Sequence, residues 1–258
     1  MKIYDLSSEV IAFSTTRHGG CSVGNYASMN CTPYTGDDIE AVQSNQTLLC
    51  TALHLPKERL VIPYQTHGVE VRLIDDTFLK LSSEEQHALL QGVDTLVSTE
   101  PNICLCVSTA DCIPILLFDK KHRVAAAVHA GWRGTVNGIV TKVLNVMHQT
   151  YGSVGEDLEA VIGPGISLQS FEVGDEVYVA FEQAAFPMDD IARWYADAHK
   201  WHIDLPAANV LQLMNFGVPE RQILQSSICT YASHEEFFSA RRLGIKSGRI
   251  LSGIIIKE

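Results

Sequence analysis

Three segments of the chain each place a metal-type donor in a turn beside an apolar run: PYQTHG with His67, STADCIPI with Cys112, and VHAGWRG with His129. Neutral imidazole and thiolate are preferred zinc ligands, and a His, Cys, His set with no fourth protein donor leaves the open position of a catalytic zinc. The separations are too long for a zinc finger, so the pattern alone leaves two readings open. Either the three share one centre, or they are unrelated positions in which Cys112 packs as core and His67 caps a backbone carbonyl. In the third segment, RVAAAVH reads as a strand that carries its imidazole to the rim of a sheet, with Gly131 and Gly134 allowing a tight turn into a helix. Trp132 is then read as a wall of the site, or else as packed in the core. Arg133 stands beside the donor, where it pairs with phosphate or with Asp111, or else ties down a loop.

Other polar stretches carry weaker signals. In TTRHGGCSVGNYASMN, Arg17 and the glycines around it suit an anion held by a guanidinium fork and backbone N–H groups, or simply a surface loop. IGPGI at 162 to 166 follows a strand and suits a pocket lining, but it has neither the spacing nor the GK[ST] ending of a P-loop. FFSARR brings Arg241 and Arg242, one facing an anionic substrate and the other solvent. Cys104 and Cys106 share one face of a strand and read as packed thiols. His199 and His202 in AHKWH read as surface or aromatic-stacked side chains rather than ligands.

The elements that must position these groups follow from periodicity. Strands are expected over 60–63, 69–74, 94–98, 103–108, 113–119, 123–129, 158–163, 223–228 and 250–256. Val136, Ile139, Val140, Val143, Leu144 and Met147 share one face of a helix beginning near Thr135. Further helices are expected from Asp38 to about Leu53, from Asp175 to Phe186, and from Leu205 to Phe216, the last with Asp204 as cap, Pro206 in its first turn and Gly217 as stop. The class is therefore α/β, mixed α+β, with mixed sheets layered with helices. No linker or repeat divides residues 1–258, so one domain is expected.

A chain of 258 residues with 46% apolar content can bury a substantial core, and a net charge of −11 without a basic run argues against nucleic acid or an anionic membrane as partner. The most apolar segment, ICLCVSTADCIPILLF, is interrupted by Ser108, Thr109 and Asp111, and MKIYDLSSEV has no apolar h-region, so the expected compartment is cytoplasmic. Seven cysteines, an odd number without a framework, predict free thiols rather than disulfides.

TTRHGGCS, YQTHG, VDTLVS, STADCIPI, VHAGWRG, IGPGIS with FEVGDEV, and CTYASHEEFFSARR occur in an order that resembles the laccase-domain family, long described as multicopper polyphenol oxidoreductases and now regarded as purine nucleoside phosphorylases. The likeness runs from about Thr15 to Ile255. It implies a single zinc at His67, Cys112 and His129, with copper as the alternative metal. Asp111, Cys112 and Arg133 are then expected at the reacting centre, and Arg17, Asn30 and Arg241 as substrate contacts. The family is similar in fold to a toxin-like hydrolase with a Cys and His dyad. Two positions depart from the family pattern and bear on substrate contacts: Ala240 in place of an aromatic, and Cys31 in place of an aliphatic.

The resemblance implies phosphorolysis of adenosine, inosine, guanosine and methylthioadenosine, with deamination of adenosine as a second activity. The implied partners are purine nucleosides and phosphate, acting on a monomer or small homo-oligomer. Phosphorolysis needs an anion site beside the ribose, supplied by the metal with Arg17 or Arg133, and a proton donor for the leaving purine, with Asp111 as a candidate. Copper oxidation of phenols is a second class, disfavoured because none of the ten histidines forms an H-x-H pair. A metal-free hydrolase with Cys112 as nucleophile and His129 or His67 as base is a third. A purine-binding module without turnover is a fourth.

Overall fold

The computed structural model describes residues 1–258. Two large sheets lie face to face. The first has the order β1 (Lys2–Tyr4), β2 (Val10–Ser14), β14 (Ile250–Ile256), β6 (Cys104–Thr109), β3 (Leu60–Val61). The second runs β13 (Ile223–Gln225), β9 (Leu158–Ile162), β7 (Ile113–Asp119), β8 (Val124–Ala130), β5 (Thr95–Ser98), β4 (Val71–Leu73). Most pairings are antiparallel, but β3 with β6, β4 with β5 and β13 with β9 are parallel, which gives the mixed sheets expected. A small third sheet joins β10 (Glu172–Val173), β12 (Lys200–Ile203) and β11 (Ala192–Tyr195).

Period-two alternation sorts the side chains into layers. From β7, Leu116 and Phe118 enter the space between the two large sheets, where they meet Leu105 and Val107 of β6 and Ile254 of β14. Ile113, Ile115 and Leu117 point the other way, onto α5 (Ile139–Tyr151) and α8 (Leu205–Phe216). Beyond the first sheet, Phe13, Cys104, Cys106 and Leu251 pack with Leu49 and Leu53 of α1 (Ile39–Ala52) and the residue that follows it. Cys104 and Cys106 are thus packed thiols, and all seven cysteines are free. No helix is long and apolar enough to cross a membrane.

The helix limits show which local signals dominate. α8 begins and ends as its caps dictate: the Asp204 carboxylate accepts from the Ala207 N–H, and Gly217 takes φ 102 at the stop. The helix expected from Thr135 instead breaks in two. α4 (Trp132–Val136) ends before Gly138, whose left-handed φ of 71 redirects the chain so that α5 starts at Ile139. The face of Ile139, Val140, Val143, Leu144 and Met147 is fully buried as expected. α6 (Asp175–Gln183) is shorter than expected, and α7 (Met188–Ile191) follows it. The expected strand 69–74 is hydrogen-bonded only over β4, the one at 223–228 only over β13, and β1, β2 and β10 to β12 were not anticipated. His202 belongs to β12 and is buried, its Nδ1 2.9 Å from the Leu168 carbonyl and its ring against Tyr195, whereas His199 is exposed. The remaining short helices are α2 (Asp76–Leu79), α3 (Ser83–Leu89) and α9 (Ala240–Leu243).

If the layer between the sheets carries the fold, Phe118→Ala lowers the unfolding free energy by about 3–5 kcal/mol, read by denaturant titration. Leaving metal content per folded chain unchanged is the companion result, because Phe118 lies at the far end of β7 from Cys112.

Candidate metal centre and its pocket

Two connections pass from one large sheet to the other at the same rim: the β3–β4 loop, which carries His67, and the β6–β7 turn, which carries Cys112. β8 ends beside them. Its alternation puts His129 on the face of Ala125 and Ala127, toward the space between the sheets, and its register pairs His129 with Pro114, two residues beyond Cys112. One donor atom each from His67, Cys112 and His129 lies within 4.8 Å of the others. The rings of His67 and His129 meet edge to face at 4.8 Å. Donors bound tetrahedrally to one zinc stand roughly 3.3–3.8 Å apart, so small side-chain movements close the set.

One carboxylate organises two of the three donors. Asp94, completely buried just before β5, accepts at Oδ1 from His129 Nδ1 (2.7 Å) and from the His67 N–H (3.0 Å). At Oδ2 it accepts from the N–H groups of Gly68 (2.7 Å) and Thr66 (3.3 Å), while its own carbonyl accepts the His129 N–H (2.8 Å). Because a carboxylate only accepts, Nδ1 of His129 carries the proton and Nε2 is left for a metal. Gln65 adds a second tie, donating to the Ser108 carbonyl (2.9 Å) and accepting its N–H (2.7 Å), which fastens the His67 loop to β6. His67 and Asp111 adopt φ of 61 and 88, uncommon for side-chain-bearing residues, and both lie in the turns that present the donors. A Cβ on Gly131 would stand 2.9 Å from the His67 ring and 3.0 Å from the Cys112 sulfur, so close approach, not turn geometry, is what requires glycine there.

The electrostatics favour a thiolate at Cys112 paired with an imidazolium at His129. Burial pushes the Cys112 thiol up, but the charge and hydrogen bonds of His129 and His67 outweigh it and bring the pKa down to about 6. For His129 burial acts downward, and the Cys112 thiolate with the Asp94 carboxylate raises it to about 9. Burial also raises Asp94, yet the His129 ring and the backbone N–H donors leave it below its ordinary value.

A cavity of about 350 Å³ opens onto the three donors, lined also by Tyr34, Tyr64, Ser108, Thr109, Ile245 and Arg249 among others. Arg249 is the cation in that lining; its guanidinium donates to the Ser247, Gly248 and Ile245 carbonyls, and its backbone N–H donates to the Asn30 side chain. Burial depresses its pKa, against the charges of Cys112 and Asp111. Asn30, expected to touch substrate, is fully buried and instead fixes Arg249 and Thr32.

The other expected contacts lie outside this lining. Arg17 donates to the Ala27 and His234 carbonyls, covers Phe238, and borders a separate hollow with His18 and Glu235. Asp111 accepts from the Thr230 hydroxyl and the Arg241 N–H, each at 2.7 Å, rather than from Arg133. Arg133 is exposed and stacks on Trp132, which packs against the helix-side core and forms no wall of the cavity. The Arg241 guanidinium donates to the Glu172 carbonyl near Phe171. Gly163 and Gly165 of IGPGI line a different cavity, of about 220 Å³. Asp94 and Arg249 escaped sequence reading: an acid opening the strand motif VDTLVS was the available signal for the first, and nothing local marks the second.

Mixed sheets flanked by helices, with a two-imidazole, one-thiolate cluster at the rim where the sheets meet, make this an α/β protein with a candidate metal centre. The model of the multi-copper polyphenol oxidoreductase laccase family matches residues 11–257, and the chain belongs to that family. It is 56% identical over 251 residues to a purine nucleoside phosphorylase of Bacteroides thetaiotaomicron, covering 97% of this chain and 93% of that one. It is 43% identical over 248 residues to adenosine deaminase RL5 of an unknown prokaryotic organism, covering 96% and 94%. The crystal structure of YlmD from Geobacillus stearothermophilus superposes with a TM-score of 0.91 at 31% identity, over 99% of this chain and 94% of that one.

Asp94→Asn, which removes the charge that orients His129, is expected to weaken metal binding roughly 10–100-fold in a competitive chelator titration. At pH 7 the metal-free centre holds a Cys112 thiolate and a protonated His129, so binding releases about one proton. Affinity therefore rises with pH toward 9 and falls more steeply below 6, where Cys112 also gains a proton; calorimetry in buffers of different ionisation enthalpy measures the count.

Proposed function

We propose that this chain is a zinc-dependent purine nucleoside phosphorylase that cleaves adenosine, inosine, guanosine and methylthioadenosine with phosphate, and deaminates adenosine as a side activity. The carrying observation is the coincidence, in one cavity, of the His67, Cys112, His129 cluster with the guanidinium of Arg249. The cavity volume of about 350 Å³ falls in the range of small-ligand sites. A zinc ion held by the three donors would supply Lewis acidity.

The remaining work falls to side chains of the chain itself. Arg249, rather than Arg17 or Arg133, is the group that holds phosphate, since a guanidinium pairs with its oxygens through charge-assisted hydrogen bonds. Thr109 is fully buried at the cavity wall with a hydroxyl that has no hydrogen-bond partner, which suits a ligand oxygen. Tyr34 and Tyr64, edge to face at 4.9 Å, offer apolar ring surface for a purine. An oxocarbenium-like transition state at C1′ is favoured by a phosphate anion fixed beneath it and by the exclusion of competing water.

One observation favours a second reading. A thiol brought down to about 6 between two imidazoles is also the signature of a nucleophile, so metal-free protein is a candidate Cys112 hydrolase. The two readings separate on metal. Chromatography of inosine, adenosine and methylthioadenosine should show base release that requires both phosphate and bound zinc; release indifferent to phosphate overturns the phosphorylase reading. Arg249→Gln should raise KM for phosphate roughly 10-fold or more, the worth of a charged hydrogen bond, while moving KM for the nucleoside far less.

A further inference from the structure

A second cluster of donors lies away from the pocket. β7 ends on Asp119, the DKKHR turn folds His122 back beside it, and Asp157, in the short turn before β9, faces both. One donor atom from each of the three lies within 4.8 Å of the others. Asp119 is fully buried: its Oδ1 accepts the Lys121 and His122 N–H groups at 2.9 and 3.0 Å, and its Oδ2 is 2.9 Å from His122 Nδ1. The His122 ring lies against the chain at Gly152, where a Cβ would stand 3.8 Å from its Nε2.

The network leaves two polar groups without a well-formed hydrogen bond. Asp157 Oδ2 is buried without a hydrogen bond, and Lys121 Nζ approaches it only to 3.5 Å. The Ser153 hydroxyl, in a residue with no exposed surface, also lacks a partner in hydrogen-bond geometry. It is nevertheless aimed at the Asp119 carboxylate: burial pushes that carboxyl up, and Ser153 with the neighbouring N–H groups and the His122 ring holds it down. A buried oxygen left without a partner, as Asp157 Oδ2 is, costs about 1–3 kcal/mol unless something fills the space beside it. Of the other cations of the turn, Lys120 leans toward Glu159 at 3.8 Å and Arg123 pairs with Glu9 at 2.7 Å, so neither fills it.

We propose that Asp119, His122 and Asp157 form a second divalent-cation site, with the Ser153 hydroxyl turned into it. One imidazole and two carboxylates without sulfur suit zinc, cobalt, nickel or manganese rather than a soft monovalent ion. His122 and Asp157 are partly exposed, which gives the ion an entry path. The ion would tie the β7–β8 turn to the connection between α5 and β9, a structural clamp independent of turnover.

The full chain carrying Cys112→Ala, which disables the centre in the pocket, is titrated with cobalt(II). The expected result is about one equivalent bound, without the near-ultraviolet thiolate charge-transfer band that cobalt on Cys112 produces, and a melting temperature that rises with added ion. Adding His122→Ala or Asp157→Asn should cut that affinity at least roughly 10-fold and remove the thermal shift. Binding that ignores both substitutions, or no binding, overturns the site. Should Cys112→Ala not fold, metal stoichiometry decides in its place: wild type should hold one equivalent more than Asp157→Asn, with turnover equal in both, and equal stoichiometry overturns the site.

Discussion

The Asp94 carboxylate is the constraint on which the centre depends. It is fully buried, and an ionised carboxylate in that position is tolerated only because donors surround it: three consecutive backbone N–H groups of the His67 loop and the ring of His129. The loop has no regular structure of its own and the strand has no reason to end beside it. Their common attachment to one charge places two imidazoles edge to face and fixes which nitrogen of His129 is free. Removing the charge leaves buried donors unpaired as well as a ligand unaimed, so stability and metal affinity are coupled through this one residue.

The second constraint is topological. The chain passes from the first sheet to the second at β3–β4 and again at β6–β7, and both crossings occur at the same rim. Crossings between sheets are short and irregular, which is where backbone outside the common regions is tolerated; His67 and Asp111 show it, and both belong to the turns that carry donors. The β7–β8 register then brings His129 to the strand position nearest Cys112. A one-residue slip would turn His129 into the helix layer and leave Cys112 without its nearest charge partner. Thiolate and imidazolium sustain each other across that register, one down to about 6 and the other up to about 9.

Legibility in the sequence followed the range of the interactions involved. α8 was readable to the residue because Asp204, Pro206 and Gly217 act within a turn of where they stand. The start of α5 was misplaced because Val136 fits the apolar period although Gly138 interrupts the backbone, a conformational fact the period does not carry. The β11–β12 hairpin was missed because ARWY and KWHI mix exposed aromatics with charges, and only pairing with each other and with β10 makes them strands. The same limit separates Asn30 from Arg249. The amide stands in a recognisable motif, yet its work is to hold the backbone of an arginine far along the chain, and that arginine is the one that lines the cavity.

Residue type and local pattern by themselves determined the mixed α/β class, the free thiols, the acidic net charge and the presence of three donors each beside a strand end, because these depend on composition and on contacts within a few residues. Only the tertiary structure decided that the three donors converge, that Asp94 aims two of them, that Arg249 rather than Arg17 or Arg133 shares their cavity, and that Asp111 is committed to Thr230 and the Arg241 backbone. Convergence depends on which strands pair and where the chain crosses between sheets, and those are settled by burial of side chains from every part of the sequence at once.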